Sequence, residues 1–279
     1  MRPDGSAVRF LLPPSETKRD GGAGGPLALE RLSFAGLTDA RRTVLEAVEA
    51  LARDPEAAAR ALKLSAKAAA AEVPRNRALR TSPTMPAIER YTGVLYDALA
   101  VADWATDARA RASEHLLVHS ALFGLLGADD PVPAYRLSHD SRLPGLRLRA
   151  HWAAAAAAVL ESLPGPLIDL RSEGYAELGP LPDRPDALFV RVVAIGDDGV
   201  ARALNHFNKK GKGEFLRALL SAGPVPSTVD ELCARATALG WPLARIEASR
   251  SVSGRDELEL VVPGTLPPRP TRAPRAPAR

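Results

Sequence analysis

Three short stretches hold most of the residues that could do chemistry. "PPSETK" puts Ser15, Glu16, Thr17 and Lys18 directly after an apolar run that reads as a strand. "DLRSEGY" repeats the arrangement, with Arg171, Ser172, Glu173 and Tyr175 following a second buried strand. "PAYRL" adds Tyr135 and Arg136. In open α/β sheets ligands gather beyond the C-terminal ends of the strands. Two strands that each emit a hydroxyl, a carboxylate and a cation can therefore converge on one pocket. In such a pocket Glu16 or Glu173 is the candidate general acid–base group, with Ser15, Ser172 and Tyr175 as further catalytic candidates. The plainer reading of "PPSETK" is a capped turn with a solvated Lys18.

The stretch "NHFNKKGKGEFLRALL" at 205–220 offers a different chemistry. Lys209, Lys210 and Lys212 are cations, and Gly211 and Gly213 allow close backbone approach. A helix N-terminus follows, and it favours anions. The combination suits phosphate, either of a DNA backbone or of a single nucleotide, with Lys18, Arg136, Arg171 and Tyr135 as further contacts. The alternative is a solvated turn between a strand and a helix. A helix-hairpin-helix element is the obvious analogy for DNA. It fits imperfectly, because Lys212 stands where an apolar residue is usual and the preceding segment reads as strand. His115 and His119 share a face in either a helix or a strand, yet no carboxylate completes a metal site with good spacing. They read as structural histidines, and no metal or cofactor is expected. G-x-G-x-x-G, Walker A, H-E-x-x-H and G-x-S-x-G signatures do not occur.

The elements that must position these residues can be read in order. "AVRFLL" is a strand stopped by Pro13, and "TKRDGGAGGP" is a glycine-rich loop. Residues 38–53 carry Val44, Ala47, Val48 and Leu51 at helical spacing. Asp54 and Pro55 restart a helix as N-cap and first residue, and it runs through "AAAAEV" to stop before Pro74. "RNRALRTSPTMP" is a basic loop, and "AIERYTGVLYDAL" is a helix or a strand-like insertion. "HLLVHSALFGLL" is a buried run, "HWAAAAAAVLESL" a helix and "PLIDLRS" a buried strand. "ALFVRVVAI", the turn "GDDG" and "VARALNHF" form a hairpin. Thr228 and Glu231 make a capping box for a helix that stops at Gly240. "PLARIEASR" and "DELELVV" form a last hairpin. Strands and helices interleave without a long linker, so the expectation is one compact mixed α/β domain.

Composition narrows the partners. The 279 residues include 46% hydrophobic ones, enough for a sizeable core. The net charge is +4, but "PPRPTRAPRAPAR" carries Arg269, Arg272, Arg275 and Arg279 with no acid. Without those four, 33 basic and 33 acidic residues remain. Any nucleic-acid surface must then be a local patch. The tail, 265–279, is dominated by this Pro/Arg stretch, lacks apolar residues enough to bury and reads as disordered. The lone Cys233 excludes an intramolecular disulfide and a cysteine-based zinc site. It suits a reducing cytoplasm. No apolar run is long enough to span a membrane, and the N-terminal apolar run is too short for a secretory signal.

Taken together the motifs resemble the YaaA family of bacterial peroxide-stress proteins. The resemblance is carried by "LLPPSETK", "YTGVLYDAL" at 91–99, "HSALFGLL" at 119–126 and "DPVPAYRL" at 130–137. Trp152 in its helix, "IDLRSEGY" at 168–175 and "KKGKG" at 209–213 continue it in the same order. "LLPPSE" looks like the actinobacterial branch. The resemblance implies one YaaA-like domain over 1–264, of unusual topology: a mixed sheet flanked by helices, with a positively charged cleft. It also implies DNA binding through a helix-hairpin-helix-like element and protection against hydrogen peroxide by limiting free iron and oxidative DNA damage. Lys209 and Lys210 match the family's basic stretch, and Lys212 replaces an arginine. Where the family often has Ser-Pro-Ala-Lys, this chain has Pro13-Pro14-Ser15-Glu16, so an acid replaces a cation, with Lys18 close by.

Two functions remain open from the sequence. One is binding of duplex or distorted DNA through Lys209, Lys210, Lys212, Arg136 and Arg171. The other is an enzyme acting on a nucleotide or nucleobase, in which Lys209 and Lys210 clamp phosphate. An adaptor with no chemistry in its cleft is the third, blander reading.

Overall fold

The computed structural model describes residues 7–195, 201–203, 207–251 and 253–262. The "GDDG" turn and the 265–279 tail lie outside the described residues. The strands are β1 (Arg9–Leu12), β2 (Met85–Pro86), β3 (Leu116–Ser120), β4 (Gly124–Gly127) and β5 (Pro131–Val132). They continue with β6 (Leu167–Asp169), β7 (Ala187–Ile195), β8 (Ala201–Ala203), β9 (Leu243–Ile246) and β10 (Glu257–Val261). The helices are α1 (Thr38–Leu51), α2 (Pro55–Ala61), α3 (Ala66–Arg77), α4 (Ala87–Arg90) and α5 (Val94–Leu99). The later ones are α6 (Thr106–His115), α7 (Leu148–Ser162), α8 (Glu173–Ala176), α9 (Phe207–Ser221) and α10 (Val229–Ala238).

The main sheet runs β4-β3-β1-β6-β7-β10-β9, with β8 on β7 beyond the short β6. Neighbours from β3 to β10 are parallel, and β4 and β9 close the two edges antiparallel. Counting only the five parallel strands, the order is 2-1-3-4-5. The chain first builds to one side of β1 and then crosses to the other, so the winding reverses between β1 and β6. At such a reversal the loops leaving the two strands part, and a crevice opens beyond their C-terminal ends. In this chain those loops are "PPSETK" and "LRSEGY". The two strands whose ends carry the quoted motifs are adjacent, with Leu11 opposite Asp169.

The expected elements mostly form for the expected reasons. β3 and β6 read as continuous apolar runs because they are covered on both faces, and every residue in them is buried. Asp54 accepts from the amides of Glu56 and Ala57 with Pro55 at the first helical position. Thr228 accepts from the Glu231 amide at 3.2 Å. The run "HLLVHSALFGLL" folds back on itself as the β3–β4 hairpin. "AIERYTGVLYDAL" is helical in two pieces, α4 and α5.

Two segments differ from the sequence reading. The helix expected from Asp54 to Val73 breaks at Lys63, which takes a left-handed backbone. Ser65 then caps α3, which continues through Pro74 to Arg77. Proline removes one helical amide bond. Contacts just beyond it hold the turn: Asn76 pairs both ways with the Arg136 backbone, and Arg77 donates to the Ala52 carbonyl. The second difference is "KKGKG". It is no loop before a helix but lies inside α9, which begins at Phe207. Strand β8 precedes α9 with only 204–206 between, so 201–221 does not provide the two helices of a helix-hairpin-helix.

Candidate functional site

The chain that leaves β1 is organised around Lys18. The residue is 7% exposed, and its ammonium donates to the carbonyls of Ser15 at 2.9 Å and Glu16 at 3.3 Å. It lies 4.0 Å from the centroid of the Tyr135 ring and 5.5 Å from that of Tyr91. The turn 15–18 folds its own lysine inward because its carbonyls face that way. An isolated bridge between Lys18 and Tyr91 then ties the turn to the chain entering α5. Gly93, with φ +94, brings this chain against the hydroxyls of Ser15 and Thr17, which a Cβ there would meet at 3.2 Å.

Tyr91 and Tyr135 face this point, and the chain's other two tyrosines, Tyr96 and Tyr175, lie near them. The hydroxyls of Tyr91 and Tyr135 are 2.8 Å apart, and that of Tyr135 is 2.7 Å from the Ser120 hydroxyl at the end of β3. Ser120 accepts in turn from the amides of Leu122 and Phe123. Tyr96 donates to the Pro13 carbonyl at 2.7 Å. Tyr175 packs edge-on against His139. Burial pushes all four phenols above their ordinary value, so they stay protonated hydrogen-bond donors. Burial lowers Lys18 to about 7, with Arg136 pushing the same way against the weaker pull of Glu72 and Glu16. An amine near 7 is neutral in a large fraction of molecules at physiological pH. The Glu72 carboxylate keeps one buried oxygen without a partner among the described residues, and Arg75 holds the other at 2.7 Å.

The candidate residues divide into groups. Ser15, Glu16, Lys18, Tyr135, Arg136 and Tyr175 come together here. Glu16 is the exposed partner of Arg136 at 2.7 Å. Ser172 and Glu173 are exposed on the β6 side, and Glu173 lines a separate cavity of about 910 Å³. That cavity carries Asp169, Glu173, Glu177, Asp183, Asp256 and Glu257 against Arg149, Arg184, Arg191 and Arg255, so it is not a basic cleft. A second cavity of about 400 Å³ adjoins the tyrosines, with Tyr91 and Tyr96 in its wall beside Arg19 and Asp97.

Several residues read as phosphate contacts are structural instead. Arg171 is fully buried, forks onto Asp169 at 2.6 and 2.8 Å, and donates to His119 Nδ1 at 2.5 Å. Arginine can only donate, so the His119 proton sits on Nε2. Burial, then Arg171, holds His119 well below its ordinary value. His115 is anchored separately on the Val8 carbonyl, so the two histidines form no pair. Lys212 is 4% exposed and donates to the Leu170 carbonyl at 3.0 Å. Burial lowers it to about 8 against the pull of Asp169. Gly211 fits against Val262, and a Cβ at Gly213 would meet the Leu95 carbonyl of α5. Both glycines lie beyond the first four amides of α9, so their backbones are not free to cradle phosphate. Only Lys209 and Lys210 of this stretch face solvent.

Tyr91, Tyr96, Ser120, Asp169 and Glu72 were not singled out by the sequence as site residues. The scarcity of tyrosine was a usable signal: four in 279 residues, all inside the quoted motifs.

This arrangement belongs to a mixed α/β protein whose parallel strands reverse their winding between β1 and β6. The family described as "Peroxide stress protein YaaA" matches residues 8–238. The chain belongs to that family. It is 43% identical over 258 residues to a UPF0246 protein of Corynebacterium glutamicum, covering 91% of this chain and 99% of the relative. A UPF0246 protein of Streptomyces coelicolor is 41% identical over 248 residues, 88% of this chain and 94% of that one. A UPF0246 protein of Bacteroides thetaiotaomicron is 29% identical over 178 residues, 58% and 67%. The Corynebacterium and Streptomyces relatives agree with the actinobacterial look of "LLPPSE".

Proposed function

We propose that this peroxide-stress family member is an enzyme acting on a nucleotide or nucleobase in the crevice beyond β1 and β6. The observation that carries the reading is Lys18: a buried amine under two tyrosine rings, at the reversal point of a doubly wound sheet. A DNA backbone needs exposed cations, whereas here the cations are drawn inward. Lys18 is the proton-accepting group and the tyrosines supply donors at developing negative charge. Exposed Glu16 and its partly buried partner Arg136 form the rim. The adjoining cavity of about 400 Å³ falls in the range for small-ligand sites. Thermal-shift screening of nucleotides, nucleosides and nucleobases tests this. At least one should raise the melting temperature of the wild type and fail to do so for Lys18→Met. If none stabilises the wild type, the reading falls.

One observation favours a DNA-binding function beside it. Lys209 and Lys210 are exposed in the first turn of α9, where the helix dipole favours anions. Lys210 is 3.3 Å from Glu214, a surface pair that a phosphate can outcompete. Fluorescence anisotropy with duplex DNA across a salt series checks it: Lys209→Ala/Lys210→Ala should lower the salt slope by about 2. An unchanged slope removes DNA from this surface. We assign no iron ligand. Among the described residues no group of three or more His, Cys, Asp or Glu is placed to hold a metal ion, so in this reading any limitation of free iron is indirect.

A further inference from the structure

We infer that Lys18 is a covalent nucleophile: its Nζ forms an imine with the open-chain aldehyde of a free sugar phosphate, the part of a nucleotide left once its base is gone. This rests on the nucleotide reading of the crevice and concerns the free sugar phosphate, whose C1 aldehyde exists only after the bond to the base is broken.

The geometry sets Lys18 apart from the other five lysines of the chain. Its only hydrogen-bond acceptors among the described residues are two backbone carbonyls of its own turn, and no carboxylate lies within ion-pair distance. Two carbonyls leave one nitrogen position free once a proton is lost, which is the lone pair a nucleophile needs. The groups facing it are the Tyr91 and Tyr135 rings, then Arg136, Glu72, Glu16 and Arg75. Aromatic walls keep bulk water from the nitrogen, and a dry site favours dehydration of an amine adduct. Lys18 is also lowered to about 7, first by burial, so the free amine is available without a separate base. Lys212 has a comparable burial but points at one carbonyl inside a packed helix contact, with Asp169 supporting its charge.

The step balances without an oxidant. The neutral amine adds to the aldehyde carbon, and its proton passes to the oxygen. Loss of that oxygen as water leaves a C=N bond, and hydrolysis reverses the sequence. No electrons are exchanged until a hydride donor is added.

The test is trapping on the full wild-type chain. Ribose 5-phosphate and sodium cyanoborohydride are added at pH 7, followed by peptide mapping by mass spectrometry. The expected result is a reduced adduct on Lys18 exceeding that on the exposed Lys63, Lys67, Lys209 or Lys210 by at least about tenfold and that on Lys212 by about fivefold, since a larger fraction of Lys18 is neutral. Trapping should rise with pH around 7 and level off, while labelling of the exposed lysines continues to rise. Adducts spread over the lysines according to exposure, with none enriched at Lys18, overturn the inference. Lys18→Arg, which keeps the charge and cannot form an imine, should lose the enriched adduct. The failures are distinguishable: stabilisation by nucleotides without a Lys18 adduct removes only the nucleophile, and an adduct without nucleotide stabilisation removes the nucleotide reading.

Discussion

Lys18 and Lys212 invite comparison. Both are almost fully buried, both donate to backbone carbonyls, and both sit at the ends of adjacent parallel strands, β1 and β6. Their surroundings differ. Lys212 arises from the middle of α9, and its helix is locked against α5 at Gly213 and against Val262 at Gly211. Its charge is supported by Asp169, which is itself held by Arg171. Lys18 stands in a short turn, under aromatic rings, with Arg136 opposing its charge. A buried lysine with a carboxylate behind it staples two elements. One left to carbonyls and rings has its charged form disfavoured instead.

The comparison can be broken first on the stapling side. Arg171→Met leaves Asp169 as an unpaired buried charge and should cost about 3–5 kcal/mol in urea unfolding. A loss below about 1 kcal/mol would mean that the Asp169–Arg171 pair does not organise the end of β6. Gly213→Ala comes next. Its new methyl would press on the Leu95 carbonyl and Ala98, so about 1–3 kcal/mol should be lost. Gly25→Ala, with open space around it, is the control and should change little.

The pH dependence sharpens the comparison. Lys18 titrates near 7 folded, against about 10.4 unfolded. Its charge burial therefore costs most below pH 7, and stability should rise as pH climbs from 7 towards 10. Between pH 7 and 9 the wild type should gain about 1–3 kcal/mol. Lys18→Met should flatten that rise more than Lys212→Met, because Lys212 titrates near 8 and its window is narrower. Equal flattening would erase the distinction between the two lysines. The smallest effect belongs to the surface: Lys209→Ala/Lys210→Ala should leave stability within about 0.5 kcal/mol.

Much of the fold is legible in the sequence because its signals are local. The cap at Asp54, the capping box at Thr228 and the buried runs of β3 and β6 depend on residues a few positions apart. The misreadings fall where distant contacts overrule a local signal. Pro74 reads as a stop, yet Asn76 and Arg77 are gripped from Arg136 and Ala52. "KKGKG" reads as a phosphate loop because lysine and glycine are common there, whereas here the glycines admit α5 and Val262. For the site, the strand ends carrying Ser15, Lys18 and Tyr175 were visible as motifs. Arg171 was visible too, but its partner Asp169 lies two residues away and its burial does not show in the spelling.

The sequence by itself determined the family, the alternation of strands and helices, and the short polar segments that follow β1 and β6. Those follow from residue order and local periodicity. Tertiary structure alone decided which cations face water. Strand order brings the loops of β1 and β6 together, and packing then assigns each lysine its surroundings. Burial, with its desolvation cost, is a property of the assembled neighbours, so only the fold could separate the amine of Lys18 from the staple of Lys212 and the exposed pair at 209 and 210.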